Sequence, residues 1–248
     1  MLTITEPVNP DEDQEDFINR DGAGRDRKTI KKRVVVVIAR QQPGESPSSL
    51  IVQGLIDFLV SKHKIAAQLR EKLIFKIIPM MNPDGVFLGN SKGSLFGADL
   101  NRVWDKSTIF LQPTVQAVKD IIMSLAASTE QPLDFVLDIH ASNSLLGFYV
   151  IGNSYDSVFR NERHIVFPKM LAQNCKDFSS TNTMYNKDTE KLGTARLHLP
   201  SIIESETTNV YSLEMSMLGY RPYSKDKTSE KTIAYTEEHC KIVLYTNC

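Results

Sequence analysis

Two carboxylates and one imidazole stand out in this sequence: Glu45, His140 and Glu214. Each lies at or just beyond an apolar run that reads as a buried strand. All three are therefore expected at strand ends, where open α/β sheets place their ligands. A carboxylate, an imidazole and a second carboxylate gathered in this way could make a hydrolytic metal centre. Zinc catalysis needs about three protein ligands, a position left for water and a nearby base to take the water's proton. Glu45 and His140 would supply two ligands and Glu214 the base. The third ligand should come from the Gln42–Glu45 turn, and the residue there is glutamine. Each residue also has a plainer role open to it. A histidine at a strand end is often only hydrogen-bonded, a glutamate there is often a solvated terminus, and Asn101-Arg102 could be ordinary loop polars.

The elements that must hold these residues are legible from pattern. Arg33-Val34-Val35-Val36-Val37-Ile38 has five consecutive β-branched residues and no polar alternation, which predicts a strand covered on both faces. The octet Arg40 to Pro47 then forms a strand-to-helix turn. Gly44 lets it fold tightly and Pro43 stiffens it. Ser46 can cap a helix, Pro47 suits its first turn, and Leu50, Ile51, Leu55, Phe58 and Leu59 recur at helical spacing up to about Lys62. A further helical turn is expected from Ala66 to Lys72. Leu73–Ile78 reads as a second buried strand, followed by the turn signal Asn82-Pro83-Asp84-Gly85. Residues 86–110 look irregular and long enough to suggest a functional loop. A helix is expected from Pro113 to about Ala127. Asp134–Ile139 is a third buried strand that delivers His140, and Gly147–Ile151 a fourth. Phe159–Phe178 looks helical, with Pro168 breaking or kinking it. Val210–Glu214 is a late strand ending on a carboxylate, and Thr236 can start a final helix of about ten residues.

Composition sets wide bounds. The 248 residues suit one α/β domain, with hydrophobic content of 41% and charged content of 24%. A net charge of −1 gives no global field toward nucleic acid or an anionic membrane. No apolar run approaches the roughly 18 residues of a membrane span, and Met1–Glu6 lacks the pattern of a signal peptide. Three cysteines without a Cys-x-x-Cys pair favour a reducing, cytosolic setting. Residues 9–32 place an acidic group before a basic one around Asp21-Gly22-Ala23-Gly24, which predicts a flexible, solvated loop.

Five ordered segments then carry a resemblance. They are Arg40–Ser49, Leu73–Val86, Asp99-Leu100-Asn101-Arg102-Val103-Trp104, Asp138–Ser142 and Tyr211–Ser216. In this order they resemble the cytosolic carboxypeptidases, a branch of the M14 zinc metallocarboxypeptidases, over most of residues 33–245. The resemblance implies an α/β fold with a doubly wound, mixed but mostly parallel sheet and helices on both faces. It also implies zinc at the strand ends, with Glu45 and His140 as ligands and Glu214 as general base and later general acid. Asn101 and Arg102 would hold the substrate's terminal carboxylate, and Asp99 would stand behind the first ligand position. Lys92 takes the place of an arginine near the attacked carbonyl, as a point charge without the planar fork. Arg196 would pair with a substrate carboxylate or make a structural ion pair. The family also uses a mobile tyrosine, for which Tyr185 and Tyr220 are candidates.

Family substrates are acidic protein C-termini and polyglutamate side chains, notably on tubulin. The expected protein is accordingly a cytoplasmic, monomeric metallocarboxypeptidase that removes glutamates from acidic tails and binds neither nucleic acid nor membrane. Two departures bear on activity: Gln42 replaces the family's first zinc-binding histidine, and Lys92 replaces an arginine. The alternative is a catalytically silent relative that binds acidic tails. Residues 1–248 read as a single domain that begins at a middle strand of the family's catalytic domain, with the preceding β-sandwich absent; a fragment without independent function is the third possibility.

Overall fold

The computed structural model describes residues 1–7, 31–188, 191–203, 205–222 and 232–244. Its centre is a seven-stranded sheet in the order β1-β3-β2-β4-β7-β5-β6. In chain order the strands are β1 (Leu2–Ile4), β2 (Arg33–Ala39), β3 (Leu73–Ile78), β4 (Leu133–Ser142), β5 (Phe148–Asn153), β6 (Met184–Asn186) and β7 (Asn209–Ser216). β3, β2, β4 and β7 run parallel, while β1 at one edge is antiparallel to β3. β5 is antiparallel to β7, and β6 is parallel to β5. A short pair, β8 (Gly219–Tyr220) and β9 (Ile233–Ala234), lies apart. The doubly wound, mostly parallel sheet expected from the sequence is the one found.

The unbroken valine run of β2 is explained by its two faces. Val34, Val36 and Ile38 pack in one core with Trp104, with helix α4 (Pro113–Ala126) and with helix α6 (Ala195–Ile203). Val35, Val37 and Ala39 pack in the other with α1 (Ser46–Leu59) and α2 (Lys64–Lys72). α5 (Val158–Asn174) and α7 (Glu237–Ile242) cover this second face as well, through Phe167, Leu171 and Cys240. A one-turn helix α3 (Pro83–Phe87) forms where the sequence signalled a turn, and a 3₁₀ turn at Leu100–Arg102 interrupts the stretch expected to be irregular. Chain connections leave β2 toward β3 on one side and β4 on the other. The crevice at the carboxyl ends of β2 and β4 is thus the switch point where such folds bind ligands.

Several boundaries differ from expectation for physical reasons. Ser46 is the first residue of α1 and not its cap; Glu45 is the capping residue, but its side chain makes no capping bond because it is committed to His140. β4 and β7 each run two residues past His140 and Glu214, since their ladder continues to the pair Ser142 and Ser216. α5 runs through Pro168 and stops at Asn174, where the Cys175 N–H donates to Leu171 O at 2.8 Å. Thr236 does cap α7, its Oγ1 accepting from the His239 N–H at 3.2 Å, although the helix is shorter than expected. The charged loop expected over residues 9–32 falls outside the described residues up to residue 30. Among the described residues no helix is long and apolar enough to cross a membrane.

Candidate active site

β2 ends at Ala39, and the next residue, Arg40, has φ 57. A non-glycine residue in the left-handed region is costly and needs support. Here the Arg40 guanidinium donates to Pro43 O at 2.8 Å and Ser49 Oγ at 2.8 Å, closing the turn on itself. The reversal sends Gln41 into the interior and presents Gln42 and Glu45 at the crevice. Gly44 permits close approach of the next loop: its N–H donates to Ser91 O at 2.8 Å, and a Cβ there would lie 2.9 Å from the same oxygen.

Glu45 is buried, and its Oε2 lies 3.0 Å from His140 Nδ1. On the far side of the ring, His140 Nε2 lies 2.7 Å from Asp138 Oδ2. Burial works against a charged imidazole here. The carboxylates of Asp138 and Glu45 outweigh it and raise the ring's pKa well above the usual histidine value. Glu214 stands opposite His140 on β7. Burial pushes its carboxyl up to about 7; His140 opposes the rise, Glu45 and Asp138 add to it, and Arg102 opposes it. A carboxyl poised near neutrality can both take and return a proton. Across the next ladder Glu214 faces Tyr149, whose phenol is pushed up to about 12 by burial and by Glu214.

Gln42 donates through Nε2 to Asp99 Oδ2 at 2.7 Å, and Asp99 also caps the 3₁₀ turn by accepting from the Asn101 N–H at 2.9 Å. The amide thus takes the hydrogen bond that a ligating histidine would give its carboxylate, and leaves its oxygen as the only donor atom for a metal. Zinc in catalytic sites takes about three ligands from His, Cys, Asp and Glu. Glu45 and His140 are two such ligands. Among the described residues no group of three or more His, Cys, Asp and Glu side chains is arranged to hold a metal. The residues present therefore fall one strong ligand short of a full zinc set.

The remaining expected residues divide. Arg102 is exposed on the 3₁₀ turn, its guanidinium donating to Asn101 O at 2.7 Å, and Lys92 is exposed on the loop beside Gly44. Asn101 is buried instead: its Nδ2 lies 3.2 Å from His140 Nε2 and its Oδ1 accepts from the Ala195 N–H at 3.1 Å. Its amide faces the histidine and not the open crevice. Arg196 is also buried, and donates to Gly152 O, Asn153 Oδ1 and Asn186 Oδ1 at 2.9, 2.8 and 2.9 Å. Burial lowers its pKa, with Asp188 opposing. These contacts tie α6 to β5 and β6. Tyr185 lies on edge strand β6 and Tyr220 stacks on Tyr235 at 5.3 Å.

Three neighbours of His140 were not singled out from the sequence: Gln41, Asp138 and Trp104. All are buried within one hydrogen-bonded cluster behind His140. The signal for Asp138 was present, as a carboxylate inside an apolar strand two residues before a histidine. The resemblance picks out Gln42 for the ligand position, and no local pattern marks Gln41 as its inward-facing neighbour.

Comparison with known proteins adds family evidence to this geometry. The zinc carboxypeptidase family model matches residues 1–246. The chain is 42% identical to human cytosolic carboxypeptidase 6 over 220 residues, which cover 89% of this chain and 40% of that protein. It is 33% identical to zebrafish cytosolic carboxypeptidase 1 over 233 residues, covering 88% of this chain and 19% of the relative. The chain thus spans about two fifths or less of the length of these relatives. Among solved structures, a metallo-carboxypeptidase from Burkholderia cenocepacia superposes with a TM-score of 0.72 at 24% identity, covering 97% of this chain and 57% of the other. One from Pseudomonas aeruginosa, in complex with (2-guanidinoethylmercapto)succinic acid, gives 0.71 at 23% identity, covering 88% and 56%. At these identities the structures speak for the fold.

Proposed function

The chain belongs to the zinc carboxypeptidase family, and from that premise we propose that it is a carboxypeptidase-type domain acting in the cytoplasm on acidic protein tails, removing C-terminal or side-chain glutamates. The observation that carries the reading is the gathering of Glu45, His140 and Glu214 at the carboxyl ends of three neighbouring parallel strands. Bound zinc would supply Lewis-acid chemistry, and the two strong ligands would hold it weakly. Glu214 would take the proton of the attacking water at its carboxylate and return it to the departing amine. Arg102, exposed beside the crevice, would grip the terminal carboxylate, and Lys92 would offer a positive charge near the attacked carbonyl. Tubulin-like tails suit these cationic groups.

A second reading rests on a specific contact. Glu45 and His140 already satisfy each other at 3.0 Å, with Asp138 on the far side of the ring. A site so closed on itself would bind an acidic tail without cutting it. The two readings are separated by following glutamate release from peptides ending in glutamate, as free acids and as amides, with Glu214→Gln as control. Release from the free acid alone, lost in Glu214→Gln, supports hydrolysis. Binding of the free acid without release supports the silent binder. Equal treatment of acid and amide removes both.

A further inference from the structure

Gln41 and Gln42 are sequence neighbours, yet they leave the turn in opposite directions and serve different carboxylates. Gln41 is fully buried. Its Oε1 accepts from Trp104 Nε1–H at 2.8 Å, and its Nε2 donates to both oxygens of Asp138 at 2.8 and 2.8 Å. Asn82 Nδ2 donates to the Gln41 carbonyl at 3.0 Å and holds the backbone. An indole N–H can only donate and an ionised carboxylate can only accept. The oxygen end of the amide must therefore face Trp104 and the NH₂ end must face Asp138. Asp138 Oδ2 in turn lies 2.7 Å from His140 Nε2, which the Asn101 amide nitrogen approaches at 3.2 Å, and the ring presents Nδ1 to Glu45 at 3.0 Å. A continuous chain runs from Trp104 through Gln41, Asp138 and His140 to Glu45.

We propose that Gln41 is a positioning residue that fixes the Asp138 carboxylate and, through it, keeps the His140 Nε2–H bond and turns Nδ1 toward the ligand side of the site. What the site binds rests on the function proposed above; the positioning does not. Histidines that ligate metals commonly give their second N–H to a carboxylate, whose loss costs roughly 10–100-fold in affinity or activity. Here that carboxylate is itself clamped. Gln41→Glu keeps the volume and the acceptor for Trp104, but sets a carboxylate oxygen against Asp138. Gln41→Met keeps the volume and removes both bonds.

The test is nitrogen-edited NMR of the histidine rings in the intact chain, with His140→Gln to identify the resonance, alongside titration with zinc in the unmutated and Gln42→His backgrounds. The unmutated protein is expected to show a His140 Nε2–H shielded from exchange. Gln41→Glu and Gln41→Met should speed that exchange at least tenfold and raise the zinc dissociation constant by at least about tenfold. A purely structural role would lower the melting temperature and leave both readouts in place. Should neither Gln41 variant fold, Trp104→Phe, which frees the amide to rotate, must show the faster exchange. The proposal is overturned if the unmutated protein lacks the protected proton, if a folded Gln41 variant keeps both proton and affinity, or if Trp104→Phe changes neither. Failure of zinc to bind in either background would count against the peptidase reading alone, and the ring resonance would still decide the role of Gln41.

Discussion

His140 and Glu214 are direct partners across the β4–β7 ladder, residue opposite residue in parallel register. Partners in register point to the same face of a sheet, so imidazole and carboxylate are set side by side by strand pairing and not by any loop. Tyr149 on β5 extends the same row.

The terminal carboxylate of a peptide is expected to depend on Arg102. Its guanidinium is exposed and donates to the Asn101 carbonyl. Arg102→Ala should weaken binding of an acidic peptide by about 1.5–3 kcal/mol, the range for hydrogen bonds to charged groups. Amidation of the peptide should cost the unmutated protein a similar amount. Calorimetric titration of both peptides against both proteins checks this, and an undiminished affinity in Arg102→Ala removes the anchor.

Gln42→His should strengthen metal binding. The Asp99 oxygen that now accepts the Gln42 amide at 2.7 Å is available to a ring N–H. Restoring a ligand of the preferred kind should raise zinc affinity by at least about tenfold, the lower end of what even a supporting partner is worth. Zinc competition against a chromophoric chelator measures the gain. Stoichiometric zinc retained by the unmutated protein through dialysis would show that the glutamine is no handicap.

Stability should fall in acid through His164. This ring has no exposed surface; its Nε2 accepts from the Asn153 N–H at 2.9 Å, and it stacks on Tyr211 at 4.2 Å. Burial pulls its pKa down to about 4. The unfolded chain takes up this proton near pH 6.5, and the folded chain resists until about 4. The folded state therefore keeps its advantage above pH 6.5 and loses it as pH drops toward 4. At about 1.4 kcal/mol per unit the full loss is roughly 3.5 kcal/mol. Urea unfolding at about pH 7.5 and about pH 5 should show a drop in the parent that is smaller in His164→Gln. Equal drops would mean that His164 is not the group responsible.

Gly193 should not tolerate a methyl group. A Cβ there would lie 2.4 Å from the Arg102 carbonyl oxygen, and the Gly193 carbonyl accepts from the Trp104 N–H at 3.0 Å. Gly193→Ala should cost about 1–3 kcal/mol in thermal unfolding, as overpacking does, and should weaken peptide binding by displacing the Arg102 turn. A variant as stable as the parent would show that the two segments part easily.

Much of this was legible in the sequence. Leu73–Ile78 has the bounds expected, and the covered valine run of β2 foretold helices on both faces. The strands carrying His140 and Glu214 were readable from their apolar runs, although each continues two residues further than expected. What escaped was set by tertiary contact. Asn101 looks like a loop polar, yet Gly193–Ala195 closes over it and turns its amide to His140. Arg196 carries a charge that composition would place at the surface, and three backbone and side-chain oxygens from β5 and β6 draw it inside. No local pattern separates Gln41 from Gln42, because the left-handed bend at Arg40 decides which faces inward.

The ladder joining β4 to β7 makes the spacing between imidazole and base a counted quantity. A slip of one residue would carry Glu214 to the opposite side of the sheet, since side chains alternate along a strand. Insertions in the loops before and after these strands leave that count untouched, whereas a single residue added between Asn209 and Glu214 does not. Variation in such a protein can therefore accumulate at exposed loop positions such as Ile109 and Phe110, while the spacing between imidazole and carboxylate is inherited unchanged.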